Sequence, residues 1–257
     1  VFKKILAAVG IGGAEVETEL HTTSVPPGGV VEGVIRLRGA EVEQDVQGVH
    51  VEFVTRVEHE VDDKEVNLNR GFGRTAVAGE VALAAGRTVE LPFRLPVPWE
   101  TPITHHRDRP LPGAAVSVRT VLDIRGAVDP TDSDPVAITA LPAQQELLDA
   151  VEQLGFRLRS ADVEAGHLRG TRQTLPFFQE IEFAGSPRYR RLSQLELTFV
   201  AAGDGMDVVI EADKKAGLLS SGRDITNVLR VDHDSVGRVD WAGELDRHLG
   251  SLGQGWL

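Results

Sequence analysis

Gly217-Leu218-Leu219-Ser220-Ser221-Gly222-Arg223-Asp224 has the glycine spacing of a phosphate-cradling loop, so nucleotide chemistry is the first reading to test. It fails on two residues. Arg223 stands where the phosphate-binding lysine belongs and Asp224 where a magnesium-holding hydroxyl belongs, and a carboxylate there repels phosphate. The segment also lacks a following amphipathic helix and reads as a hairpin loop. Gly10-Ile11-Gly12-Gly13 lacks the third glycine of a dinucleotide-binding turn, because Glu15 holds that position and no strand precedes it. It reads as a flexible joint.

His106-Arg107-Asp108 copies three letters of a kinase catalytic loop, but Gly113 replaces the metal-binding asparagine and no glycine-rich ATP loop precedes it. His105, His106 and Asp108 offer metal donors from one loop, as do Asp232, His233 and Asp234. Adjacent histidines in an extended chain do not readily face one ion, so a solvated loop and a strand end are the expectations. The acidic group Glu58, Glu60, Asp62, Asp63 and Glu65 reads as a solvent face running into a turn. No Gly-x-Ser-x-Gly elbow or His-Glu-x-x-His zinc helix occurs. The expectation is a protein with no catalytic residue, no cofactor and no metal.

Composition narrows the partners. Lys+Arg 27 against Asp+Glu 39 gives a net charge of -12, a field that repels nucleic acid and anionic lipid. Cysteine is absent, which removes disulfides and thiolate metal sites and points to a reducing compartment. With 41% hydrophobic and 26% charged residues the chain has the make-up of a folded protein. The start Val1–Gly10 pairs a positive end with an apolar run, but the run is short, broken by glycines and followed by no Ala-x-Ala cleavage pattern. No stretch approaches the ~20 apolar residues of a membrane span. A cytoplasmic location is therefore expected.

The elements that must position any site follow a period of two. Val49, Val51, Phe53, Thr55, Val57, His59 and Val61 alternate with His50, Glu52, Val54, Arg56, Glu58 and Glu60, the pattern of a long half-buried strand. The alternation returns at Val89–Leu95 and Val116–Ile124, with weaker strands at Val16–Leu20 and Val31–Leu37. Turn residues at Pro26-Pro27-Gly28-Gly29, Leu111-Pro112-Gly113 and Asp129–Pro135 suit hairpins. From Pro142 the pattern becomes helical: Leu147, Leu148, Val151 and Leu154 share a face over Gln144–Leu154, opposite Glu146, Asp149, Glu152 and Gln153, and Gly155 supplies a left-handed cap. Strands resume at Phe177–Phe183, Leu195–Ala201, Met206–Ala212 and Asn227–His233, and Glu244–Leu252 reads as a terminal helix. The expected fold is all-β, two tandem β-sandwiches with short helices at the N-terminus, the linker and the C-terminus. The expected units are 1–141 and 142–257.

Phe2-Lys3-Lys4, Val9-Gly10-Ile11-Gly12-Gly13-Ala14, Thr120-x-Leu122-Asp123-Ile124, Gly126-Ala127-Val128-Asp129 and Asp132-x-Asp134 together resemble the bacterial sporulation-control protein family of the arrestin-like group. Leu154-Gly155-Phe156 and Pro176–Phe183 extend the resemblance into the second half, and Gly39-Ala40 departs from an expected pair of glycines. The resemblance implies arrestin-like sandwiches and a regulatory, non-enzymatic role around sporulation or cell division. It carries over no catalytic residue.

Phe2, Ile5, Leu6 and Val9 form one apolar helical stripe beside Lys3 and Lys4, and they are the candidate contact residues for a partner, a groove between the halves or a membrane. Nine residues do not hold a helix alone, so docking onto the chain's own second half is the first expectation. The function that follows is a cytoplasmic scaffold binding other proteins through strand edges, loops and a groove. A peripheral membrane adaptor using the N-terminal stripe is second and a hydrolase third.

Overall fold

The computed structural model describes residues 13–61, 64–124, 131–190, 192–214 and 228–254. The N-terminal stripe Phe2, Lys3, Lys4, Ile5, Leu6 and Val9 and the loop Gly217–Asp224 lie outside the described residues.

The first half is sheet upon sheet. β1 (Glu15–Leu20), β3 (Val30–Arg38) and β7 (Thr88–Pro96) form an antiparallel sheet in the order β1-β3-β7, and the short β2 (Ser24–Val25) pairs in parallel with β12 (Ala137–Ile138). Facing it are β11 (Thr131–Pro135), β10 (Val116–Ile124), β4 (Gln44–Val61) and β5 (Lys64–Ala78), with the short β6 (Val81–Leu83) also on β4. The inward alternation predicted from sequence is what closes this core. Val31, Ile35, Leu37 and Leu95 from one sheet and Val49, Val51, Phe53, Val118 and Leu122 from the other are all buried in a common cluster. At the sandwich edge the buried hydroxyls of Thr18 and Thr120 meet at 2.7 Å, and Asp132 accepts the Thr18 N–H at 2.6 Å. Glu52, read as outward-facing, is instead buried under the Arg119 guanidinium, which bonds it at 2.6 and 2.9 Å. The glycine retained at position 39 is the one the fold requires, since a Cβ there would lie 2.2 Å from the Ala84 carbonyl oxygen.

β4 is longer than the sandwich it belongs to. Its 18 residues span roughly 60 Å at strand rise, and β10 accompanies it only from Val46 to Thr55. Beyond that point β4 meets β13 (Arg157–Ala165) in a single parallel bridge, Glu58 to Glu164. β13 opens an antiparallel run with β14 (Phe177–Ala184), β15 (Leu192–Ala202), β16 (Gly205–Lys214) and β17 (Val228–Asp232), so one hydrogen-bonded sheet crosses from the first half into the second.

Two helices cover the inner face of this second sheet. α1 (Pro142–Gln153) starts on a proline, which suits a first helical position, and the Gln144 side chain accepts the Leu141 N–H at 2.8 Å. Gly155, at φ +88°, ends it as predicted. α2 (Trp241–Gln254) starts beyond Asp240, whose carboxylate caps the Gly243 N–H at 3.0 Å. Leu147, Leu148, Val151, Trp241, Leu245 and Leu249 join Ile181, Phe183, Leu195, Leu197, Met206 and Val208 in the same core cluster as the first half. The opposite face has its own small cluster of Leu168, Phe178, Val200 and Val209. The linker and C-terminal helices therefore fall where helical spacing placed them, within a strand-dominated, sandwich-like fold.

Candidate binding surface

The two halves are joined by polar contacts that sequence reading missed. Gln179 on β14 reaches the strand-free segment before β8 (His105–His106): its Oε1 accepts the Ile103 N–H at 2.9 Å and its Nε2 donates to the Ile103 carbonyl at 2.8 Å. Glu100 accepts from the backbone N–H groups of Thr174 and Leu175 at 2.9 to 3.0 Å and from the Thr174 hydroxyl at 2.5 Å. The Ala161 N–H donates to the Pro112 carbonyl at 2.8 Å, and Gly113 beside it, at φ +89°, approaches so closely that a Cβ would sit 2.4 Å from the Ala161 oxygen. Each partner is distant in sequence, so no local pattern announces these pairs.

β8 and β9 (Arg109–Pro110) form a tight hairpin whose two loop residues, Arg107 and Asp108, both have positive φ, +47° and +59°. That turn lays Arg107 and His106 against α1. Arg107 pairs with Asp149 at 2.5 Å and with Glu152 at 3.7 Å, and His106 Nε2 lies 3.5 Å from Asp149. Burial pushes the His106 imidazole below the usual histidine range, against the pull of Asp149 and Glu152, which favours the neutral ring. His105 instead bonds the Thr104 hydroxyl at 2.9 Å, and Asp108 is exposed. His233 stacks on Trp99 with centroids 5.6 Å apart and bonds the Ala202 carbonyl at 2.8 Å, so its ring is engaged structurally. Among the described residues, neither His105 with Asp108 nor Asp232 to Asp234 falls in a group of three metal-ligating side chains.

The opposite situation holds on β5. Lys64 to Gly71 are all exposed, and among the described residues β5 pairs with β4 alone. Val66 and Leu68, 41% and 45% exposed, project from the same face of this ribbon, and Val57 opposite Leu68 is buried. The ribbon begins where Phe72, packed edge-on against Phe177 at 5.3 Å, leaves the core. Glu58, in the acidic group read as a solvent face, is half-buried at the bridge to β13, and Glu65 is exposed. An open edge of this length offers a row of backbone donors and acceptors to another strand.

Residues 2–216 match the family model described as SpoOM protein. The chain belongs to that family. The sporulation-control protein spo0M of Bacillus subtilis (strain 168) is 35% identical over 217 residues, which cover 84% of this chain and 81% of that protein. The crystal structure of Spo0M, also from Bacillus subtilis, superposes with a TM-score of 0.78 at 30% identity, covering 94% of this chain and 99% of the other. The match bears out the resemblance carried by Pro176–Phe183 and the earlier motifs, and it makes this a sporulation-control protein by family. α2 lies beyond the residues of the family model. No helix among the described residues is long and apolar enough to cross a membrane.

Proposed function

We propose that this SpoOM family member is a non-enzymatic cytoplasmic adaptor in sporulation control that captures a partner protein by strand addition to the open edge of β5. One observation carries the reading: eight consecutive strand residues, Lys64 to Gly71, are exposed and, among the described residues, paired with a strand on one side only. Main-chain hydrogen bonding gives such an edge its affinity, and Val66 and Leu68 supply side-chain contacts that a partner strand can cover. Natural edges are usually blunted by charge or proline, and here Lys64, Glu65 and Arg70 stand at the ends of an uncharged centre, Val66 to Asn69.

The test is the double variant Val66→Lys, Leu68→Lys. Both side chains are exposed, so circular dichroism and melting temperature stay at wild-type values. Expressed in a Bacillus subtilis strain lacking its own relative, the wild-type chain restores normal sporulation and the double variant does not, and a protein that cross-links to the wild-type ribbon is lost with it. Unchanged complementation by the variant defeats the strand-addition reading.

A further inference from the structure

His106 is 5% exposed, and among the described residues neither of its ring nitrogens makes a hydrogen bond of ordinary geometry, with the Gln145 side chain a neighbour that interacts with the ring. A buried imidazole whose nitrogens meet the nearest carboxylates only at 3.5 and 4.0 Å has lost its hydration for little in exchange, an arrangement that asks for an explanation. The ring is aimed at one turn of α1. Its Nε2 lies 3.5 Å from Asp149 Oδ1 and 4.0 Å from Glu152 Oε2, and one donor atom from each of the three residues fits within a 4.8 Å span. The i,i+3 spacing of Asp149 and Glu152 is what puts both carboxylates on the helix face below the β8–β9 hairpin.

We propose that His106, Asp149 and Glu152 form a binding site for one divalent transition-metal cation of the zinc type, with water completing its coordination. Metal–ligand bonds of about 2.0–2.2 Å in tetrahedral geometry place neighbouring donors about 3.3–3.6 Å apart. The His106–Asp149 distance already matches, and the Glu152 contact closes by a small side-chain rotation. One imidazole nitrogen with two carboxylate oxygens suits zinc, whereas calcium and magnesium favour all-oxygen shells. Gln145 Nε2 donates to Asp149 at 3.0 Å and orients that carboxylate, a supporting contact of the kind metal ligands need. Arg107 now holds the same carboxylates and supplies the positive charge; at 47% exposure its guanidinium is free to turn into solvent when a cation enters. The site takes one ligand from the first half and two from α1, so occupation ties the hairpin to the linker helix. It is independent of strand addition at β5, and it departs from the metal-free expectation drawn from the sequence.

The full chain, stripped with a chelator, is titrated with zinc by calorimetry and with cobalt(II) by visible absorption. The expected result is one ion per chain, a rise in melting temperature, and the absorption bands of tetrahedral cobalt with nitrogen and oxygen ligands. Glu152→Gln, at a half-exposed helix position that keeps the fold, lowers affinity at least about tenfold, His106→Ala abolishes the cobalt bands, and Arg107→Ala tightens binding. Absence of stoichiometric zinc binding by the wild-type chain overturns the proposal. So does binding that Glu152→Gln and His106→Ala leave unchanged, which assigns the ion to other histidines.

Discussion

The side-chain amide of Gln179 holds both backbone groups of Ile103, N–H at 2.9 Å and carbonyl at 2.8 Å, and so does for the segment before β8 what a neighbouring strand would have done. All the atoms are buried, so water cannot replace the bonds. Gln179→Ala is expected to cost about 1–3 kcal/mol for each backbone group orphaned. The urea midpoint falls while the slope of the transition stays constant. Gln179→Glu is also destabilising, because a carboxylate has no proton to give the Ile103 carbonyl.

Asp207 is fully buried on β16, where it accepts the Arg172 N–H at 2.7 Å and lies 3.4 Å from the guanidinium nitrogens Nε of Arg172 and of Arg230. Asp207→Ala removes a charge-assisted acceptor and is expected to cost about 1.5–3 kcal/mol. Chemical denaturation checks the value, and hydrogen exchange at the Arg172 amide checks the site.

Asp108 sits at φ +59° in a turn position that glycine fills without strain. Asp108→Gly is expected to stabilise by up to about 1 kcal/mol, since relief of a left-handed side chain outweighs the extra freedom gained by the unfolded chain. A melting temperature below wild type contradicts this.

His248 on α2 has its pKa pushed down by burial. The unfolded chain therefore binds the proton more readily than the folded one. Stability from this group is complete above the ordinary histidine pKa of about 6.5 and drains away as pH falls through the lower folded value, with a slope of at most about 1.4 kcal/mol per pH unit. Denaturation midpoints measured from pH 7.5 to 4.5 show this loss, and His248→Gln flattens the part of the curve just below pH 6.5.

Much of this fold was legible because its first half obeys a simple rule. Val49 to Val57 and Val116 to Ile124 alternate since each strand has one dry face, and Leu147, Leu148 and Val151 repeat at helical spacing since α1 has one dry stripe. Legibility fades where both faces of a strand are covered: Met206 to Ile210 are all buried, with Asp207 among them, and alternation no longer tells inside from outside. Glu52 was misplaced for a related reason, because Arg119 buries it on the face that alternation assigns to water. The candidate sites were harder still. His106 was visible as a possible ligand, but its neighbours Asp149 and Glu152 looked like the polar side of an amphipathic helix, and only the hairpin's docking brings them together. The exposed ribbon gave no signal, since Val66 and Leu68 alternate as any half-buried strand does.

β4 belongs to both halves at once, with β10 beside it from Val46 to Thr55 and β13 at Glu58. A continuous strand is a stiff rod, so a load applied to the β4–β5 ribbon is not absorbed by a loop between the halves. Pulled along its length, the ribbon loads its β4–β5 rungs in shear, sharing the force among them; pulled sideways, it peels them one after another. A partner strand lying along β5 pulls in the first direction, and the connection by which it would be recognised is then also the one best able to carry tension into the body of the protein.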